Sequence, residues 1–288
     1  MYADHSVKIV RTQRNSSHCD NDVVATEEPM EIRLRYHVEG KPQERSISIT
    51  MRTPGNDHEL ALGFLFTEGI IQKADDVAVI DHCGPPNPDG LRNVVKVSLH
   101  AHVAVDIGKL LRNFYTTSSC GVCGKTSLDA LAVQAPYAIG QPAPMIAAQH
   151  ICRAPILLRK HQALFEETGG IHAAGLMNSS GELLAVCEDV GRHNALDKLI
   201  GTAMREQRLP LADYAIILSG RASFELLQKS LMAGAPLVAA VGAPSSLAVE
   251  CAIEQQITLA GFVRDDGFNV YAAAERIIYP PTAEQKTE

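Results

Sequence analysis

From about residue 151 the chain alternates short apolar runs with helix-forming stretches, and this alternation limits the fold more than any other feature. Tyr214-Ala215-Ile216-Ile217-Leu218 is an apolar run that suits a strand covered on both faces. Leu237 to Val241 and Ile257 to Val263 read the same way. Helices are expected over Asn194 to Met204, with Leu196, Leu199 and Ile200 on one face, and over Ser223 to Met232 and Ser246 to Gln256. A further helix is expected from Pro155 to Glu166, with its proline early and Thr168-Gly169-Gly170 ending it. His172 to Met177 and Leu183 to Cys187 should form a hairpin through Asn178-Ser179-Ser180-Gly181. Phe268 to Tyr271 adds a last short strand. One antiparallel hairpin followed by αβ units predicts a three-layer α/β domain over 151–288 with a largely parallel sheet.

The first part of the chain reads differently. Residues 1–25 are polar and aperiodic, and are expected to be a tail. Ile32 to Val38 and Ile47 to Met51 alternate apolar and polar residues, as a half-buried hairpin does. Asn56 is a candidate N-cap and Glu59 its capping-box partner, ahead of a helix apolar on most sides. His58 and Glu59 could be catalytic, but helix-start capping accounts for them as well. Asn93 to Leu99 alternates as another strand. These elements predict a smaller β-rich domain over 26–112. Residues 113–150 hold a cysteine-bearing loop, a short helix (Ser127 to Val133) and a Pro-rich linker.

That loop is Thr117-Ser118-Ser119-Cys120-Gly121-Val122-Cys123-Gly124-Lys125. Sulfur chemistry needs a thiolate, and an ordinary thiol near pKa ~8.5 is mostly protonated at neutral pH. Here Cys123 would precede a helix N-terminus, and Lys125 adds a positive charge. Gly121 and Gly124 free the backbone to expose both sulfurs. Cys120 and Cys123 could instead supply half of a zinc site, completed by His82 and Cys83. A thioredoxin-like couple is a further alternative, but that motif should follow a strand, and here a helix from Asp106 to Tyr115 precedes it. Inert core cysteines fit poorly among so many Gly and Ser residues.

In an open α/β sheet, ligands bind outside the carboxyl ends of the strands. Polar turns fall at or near those ends. They are Glu188 to Asn194, Ser219-Gly220-Arg221-Ala222-Ser223 and Gly242-Ala243-Pro244-Ser245-Ser246. Each opens a helix, whose free N–H groups can hold an anion. Arg192 and Arg221 could grip phosphate oxygens in pairs. Thr168 to His172 is similar but precedes its strand. Each turn alone is ordinary helix capping; their coincidence on one edge favours a nucleotide or pterin phosphate. Neither a P-loop nor a standard dinucleotide motif is present. The element order resembles zinc nucleobase deaminases, but the matching turns carry no cysteine.

At 288 residues the chain suits two domains, or one large one. A net charge of -7 argues against a nucleic-acid binder working by bulk charge. Seven scattered cysteines with no leader-like start fit a reducing cytoplasm. No apolar run approaches the ~20 residues of a membrane span.

Several stretches together resemble the FdhD family of formate dehydrogenase accessory sulfurtransferases. They are Thr53-Pro54-Gly55 with Glu59 to Leu65, Ser119 to Gly124, and Gly169 to Ala174. Glu188-Asp189-Val190-Gly191-Arg192-His193-Asn194-Ala195-Leu196-Asp197-Lys198 is the longest, and Ser219 to Arg221 and Gly242 to Ala248 complete the set. The resemblance implies a cytidine-deaminase-like C-terminal fold and a homodimer. It implies that a cysteine desulfurase loads persulfide sulfur on Cys120, with Cys123 as second thiol. The sulfur would pass to the molybdenum of bis-molybdopterin guanine dinucleotide, bound as substrate, with GDP as an analogue. The catalytic subunit of formate dehydrogenase would receive the product. The family's cofactor segment maps to Phe262-Val263-Arg264-Asp265-Asp266-Gly267, where Asp265 and Asp266 are unsuited to a direct phosphate role. Gly170, His172, Arg192, His193, Asn194, Ser219, Gly220, Arg221, Ser245 and Ser246 are the further cofactor candidates. A cofactor chaperone without sulfur transfer and a zinc-dependent hydrolase are the alternatives.

Overall fold

The computed structural model describes residues 3–88, 90–106, 135–140 and 144–280. They fall into two compact units, neither of them continuous in sequence. The first takes Met1–Gly121, Gln162–His172 and Glu188–Arg205; the second takes Val122–His161, Ala173–Cys187 and Glu206–Glu288. The expected division near residue 150 therefore does not follow the compact units. The reason is that the helix Arg192–Arg205 packs on a helix of the N-terminal part rather than staying with its sequence neighbours.

The first unit opens on an unexpected element. Strands β1 (Asp4–Gln13) and β2 (Ser16–Ala25) form an antiparallel ribbon where a tail was expected. Both of its faces are largely exposed, so no apolar alternation marked it. Next comes a four-stranded sheet in the order β4 (Lys41–Arg52), β3 (Glu28–Val38), β6 (Val94–Leu99), β5 (Val77–Cys83). The hairpin β3–β4 has a bulge between the Ile32 and Arg33 pairs, and Ile47 is the extra residue. The bulge reverses the facing of β4. Ile49 and Met51, expected inward, are 70% and 46% exposed, while Arg52 is fully buried.

Helix α1 (Asp57–Thr67) is mostly buried, as its apolar composition predicts. Its start differs from the expectation. Asn56 sits in the left-handed region (φ 53°) and makes no side-chain cap. Glu59 pairs with Arg205 instead of reaching back to the helix start. Two short helices follow in sequence, α2 (Ala148–Lys160) and α3 (Ala163–Thr168), where one helix from Pro155 was expected. Proline favours a first helical turn, but here Pro155 is interior. Ile151, Ala154 and Leu158 form the buried stripe that carries α2 on both sides of it.

Helix α4 (Arg192–Arg205) crosses α1 at two glycines. A methyl group on Gly63 would overlap the Asp197 carbonyl, and one on Gly201 the Glu59 carbonyl. The backbones approach so closely that neither position admits a side chain. Thr67 locks the crossing by donating to Asp197 Oδ1 at 2.9 Å.

The second unit holds a six-stranded sheet in the order β13 (Gly267–Ala272), β12 (Thr258–Arg264), β11 (Leu237–Ala240), β10 (Tyr214–Leu218), β8 (His172–Asn178), β9 (Leu183–Asp189). Only β10–β11 and β11–β12 are parallel pairs; β8–β10 and β12–β13 are antiparallel. The sheet is thus mixed rather than largely parallel. Its strands are recognisable from local apolar runs, but pairing direction comes from connections the runs do not encode. Ile151, Ala154 and Leu158 of α2 share one core with Ala173, Met177, Ala215, Ile217, Leu237 and Ala260 from the strands. Helices α5 (Phe224–Met232) and α6 (Ser246–Glu254) start after β10 and β11. The short strands β7 (Ile146–Ala147) and β14 (Ile277–Ile278) pair in parallel. The chain is therefore mixed α/β with several sheets.

Candidate functional site

Cys120 and Cys123 lie outside the described residues, so the thiol loop has no geometry to report. The cofactor candidates divide between the two units. Gly170, His172, Arg192, His193 and Asn194 fall in the first; Ser219, Gly220, Arg221, Ser245, Ser246 and Phe262 to Gly267 fall in the second.

In the second unit two of the three turns expected on one edge, those at Ser219 and Gly242, meet, while Glu188 to Asn194 belongs to the first unit. Because β8 runs antiparallel to β10, its first residues reach the carboxyl end of β10. Ala173 N–H donates to Ser219 Oγ at 2.8 Å, and Ser219 N–H donates to the Ala173 carbonyl at 3.0 Å. Gly242 N–H donates to the Gly220 carbonyl, Ser245 N–H to that of Ala222, and Phe262 N–H to that of Gly242. The turns after β10, β11 and β12 are thereby knit into one surface. A side chain on Gly242 would meet the Arg221 backbone at 2.9 Å, so glycine is needed for the two loops to touch.

The side chains on this edge sort by what they already do. Ser245 caps α6, its hydroxyl accepting from Ala248 N–H at 3.3 Å. Val263 is 1% exposed and belongs to the core, so its side chain cannot meet a ligand. Arg264 Nη1 donates to the Val241 and Val263 carbonyls. Arg221 and Ser246 are exposed, with Ser219 and Gly220 half-buried beside Arg221 in the turn. Asp265 and Asp266 are exposed at the β12–β13 turn. Phe262 combines a left-handed backbone (φ 54°) with a ring 44% exposed. That conformation is unfavourable for a residue with a side chain, and such strain gathers where a loop is held for a ligand.

In the first unit the long motif is largely structural. Asp189 is fully buried and pairs with Lys198 at 2.7 Å, itself 2% exposed. Lys198 Nζ also donates to the carbonyls of Thr53 and Glu188. Asp189 accepts from Thr53 N–H, Gly191 N–H and Asn194 Nδ2. Asn194 also donates to the Met51 carbonyl at 2.7 Å and accepts from Thr50 Oγ1 at 3.1 Å. Asn194 thus holds the start of α4 against β4. Arg192, His193 and His172 remain partly exposed. Arg192 Nε donates to His193 Nε2 at 3.5 Å. Burial, then the charge of Arg192, lowers the His172 pKa below the usual imidazole range. Gly170 is exposed in the turn after α3.

A second buried network surrounds Asp57, and sequence reading missed it. Arg52 grips the Asp57 carboxylate side-on, with Nε and Nη2 each at 3.0 Å. Arg52 also donates to Asn93 Oδ1, whose amide holds Glu28. His82 Nε2 lies 3.1 Å from Asp57 Oδ2, and His82 Nδ1 lies 3.1 Å from His58 Nε2. Burial alone would raise the Asp57 pKa; the Arg52 bonds and charge, with the His82 bond, outweigh it and hold the carboxyl below its usual range. Both ring nitrogens of His82 are engaged, so His82 offers no lone pair to the zinc set weighed above while these bonds persist. The only sequence signal was the polar start of α1, which ordinary capping explained equally well.

A family model described as FdhD/NarQ family matches residues 25–278. The chain belongs to the FdhD/NarQ family. Proteins named sulfur carrier protein FdhD include one from Streptomyces coelicolor, 46% identical over 94% of each chain. Another, from Mycobacterium tuberculosis, is 48% identical over 89% of this chain and 92% of its own. A crystal structure of a protein assigned as a formate dehydrogenase accessory protein, from Desulfotalea psychrophila, superposes with a TM-score of 0.70 at 26% identity. It covers 96% of this chain and all of that one. The resemblance read from the motifs thus holds over nearly the whole FdhD/NarQ match. No described helix is long and apolar enough to cross a membrane.

Proposed function

We propose that this FdhD/NarQ member is a persulfide sulfur carrier. It takes sulfane sulfur from a cysteine desulfurase on Cys120, with Cys123 as the second thiol, and delivers it to molybdenum in bis-molybdopterin guanine dinucleotide. The recipient of the sulfurated cofactor is the formate dehydrogenase catalytic subunit. The chain works in the cytoplasm as a homodimer. Family membership at 46–48% identity to sulfur carriers supports this reading most strongly.

The described thiols are consistent with it. Burial and the nearby Glu254 push the Cys251 thiol up to about 11. Burial, with Asp265 and Asp266, also raises Cys152. Raised thiols are poor nucleophiles at neutral pH, so neither Cys152 nor Cys251 is suited to carrying sulfur.

The substrate's guanylate end suits the carboxyl edge of β10, β11 and β12. Arg221 and the α5 and α6 N-termini would hold its phosphates, and the Phe262 ring would stack on a base. The group of Arg192, His193 and His172 is a separate candidate, tested separately. Transfer is thiol exchange: a thiolate attacks the outer sulfur of the donor persulfide, and the donor cysteine leaves as thiolate.

Incubation with a desulfurase and cysteine should add about 32 Da per sulfur to the wild-type protein by mass spectrometry. Cys120→Ala should take up none and should fail to activate formate dehydrogenase. Full activation by Cys120→Ala would favour a chaperone that binds the cofactor without carrying sulfur.

A further inference from the structure

We infer that His58 and His82 form a latch between helix α1 and edge strand β5 that holds with one added proton and opens with two. Strand β5 ends the four-stranded sheet and pairs with β6 on one side. All seven of its residues are exposed or half-buried. Apolar burial therefore holds it weakly, and its attachment falls to hydrogen bonds. Beyond the β6 ladder, and among the described residues, its side chains contribute two bonds, both from His82 to α1. His82 pairs with Val95, which is fully buried, so its ring lies on the inner face of the sheet.

The bonding order fixes the resting protons. Asp57 accepts two bonds from Arg52, and its ionised carboxylate offers only acceptors. His82 Nε2, 3.1 Å from Asp57 Oδ2, therefore donates. In neutral His82 the other nitrogen accepts, so His58 Nε2 at 3.1 Å donates to it. The lone pair left on the two rings is on His58 Nδ1. One added proton preserves both bonds. Whichever ring holds it, one N–H still lies between the rings and another still points at Asp57. A second added proton leaves no acceptor between the rings. Two N–H groups then face each other on stacked, positively charged rings whose centroids are 4.8 Å apart. The rings separate, and β5 keeps only one of its two side-chain bonds.

The surrounding charges set when this happens. Burial, then the facing charge of His82, lowers the His58 pKa; Arg205 of α4 acts the same way, and Glu59 and Asp57 of α1 oppose it. Arg52 of β4 acts through Asp57, whose charge it balances. Asp81 and Cys83 flank His82 in β5 but point to the opposite face, beside Lys96 and Val94. Two groups this close titrate as a pair, and the second proton enters below the ordinary histidine range. Asp57 remains ionised there, because its pKa lies below the usual carboxylate range. Helix α1 is mostly buried and β5 is not, so β5 is the side that yields. Its release bares the hydrogen-bonding edge of β6.

Hydrogen exchange of the full chain between pH 7 and pH 4.5 tests the latch. In wild type, protection of the β5 amides should fall about tenfold more than that of the β3–β4 hairpin. In His82→Gln the side-chain amide offers a donor to Asp57 and an acceptor to His58 without titrating, so β5 should fall no more than the hairpin. Circular dichroism confirms that the variant is folded. A wild-type β5 that tracks the hairpin at every pH overturns the inference, as does a His82→Gln strand that loses protection as wild type does. Nitrogen-15 titration of the unaltered protein gives a second check. The ring signals of His58 and His82 should move together in two steps, the second below about pH 5.5. Two independent single-site curves would overturn the latch.

Discussion

Lys198 and Asp189 form an ion pair with almost no solvent access, 2% and 0% exposed. Such a pair adds little over an apolar replacement of both partners, but losing one strands the other. Lys198→Met should cost about 3–5 kcal/mol in urea unfolding. A cost under about 1 kcal/mol would mean that Asp189 finds other compensation. Three further groups set the acid response. Asp57 has a folded pKa below its unfolded value. It therefore contributes stability above the usual carboxylate range, and loses it as pH falls through its folded value. His58 and His172 also have lowered folded values. The unfolded chain binds their protons first, so their contribution is full above about pH 6.5 and declines below it. Urea midpoints should fall from pH 7 to pH 5, and His58→Gln should fall less steeply. An equal slope in wild type and variant would remove His58 from the account.

The α1–α4 crossing rests on two glycines rather than on interlocking side chains. Gly201→Ala would drive a methyl into the Glu59 carbonyl, and Gly63→Ala one into the Asp197 carbonyl. Each should destabilise by about 3 kcal/mol or more, at the upper end of overpacking costs. Gly169→Ala is a contrast: its Cβ meets nothing within 4 Å, but its φ of 69° suits glycine. It should cost about 1 kcal/mol. Equilibrium unfolding of the three variants checks the order. Equal losses would mean that backbone conformation, not helix approach, dominates. The same elements show how legibility varied. Helix α1 and strands β10 and β11 are legible because apolar residues fill them, and burial of an apolar side chain is a local preference. Strand β4 is not fully legible, because a one-residue bulge reverses its facing without altering its composition. Asn194 carries no mark that distinguishes a ligand contact from a structural one.

The chain passes between its two compact units several times, so no single cut separates them. A fragment of residues 26–112 would contain α1 but lack α4, leaving Gly63 and Thr67 without their partners in Asp197 and its neighbours. It would also lose Asp189, which receives Thr53 N–H. Such a fragment should show neither a cooperative melt nor dispersed amide signals. A cooperatively folded fragment would contradict the interleaved division. The carboxyl edge of β10 to β12 lies wholly in the second unit and makes its own prediction. GDP should raise the melting temperature of the full chain, and Arg221→Ala should abolish most of that rise, because only a ligand that binds the folded state stabilises it. An undiminished rise in Arg221→Ala would move the nucleotide elsewhere, with Arg192→Ala the next variant to measure.

The sequence by itself determined the apolar strands and helices, the Cys120–Cys123 spacing, the turns at Ser219 and Gly242, and through its motifs the family. These are properties of neighbouring residues. Only the tertiary structure decided which polar groups are spent on holding the fold and which stay open. Asp189 meets Thr53 across 136 positions, Lys198 meets the Thr53 carbonyl across 145, and Asp57 meets His82 across 25. A buried polar group takes its meaning from its partner, and partners that far apart along the chain become neighbours only when it folds.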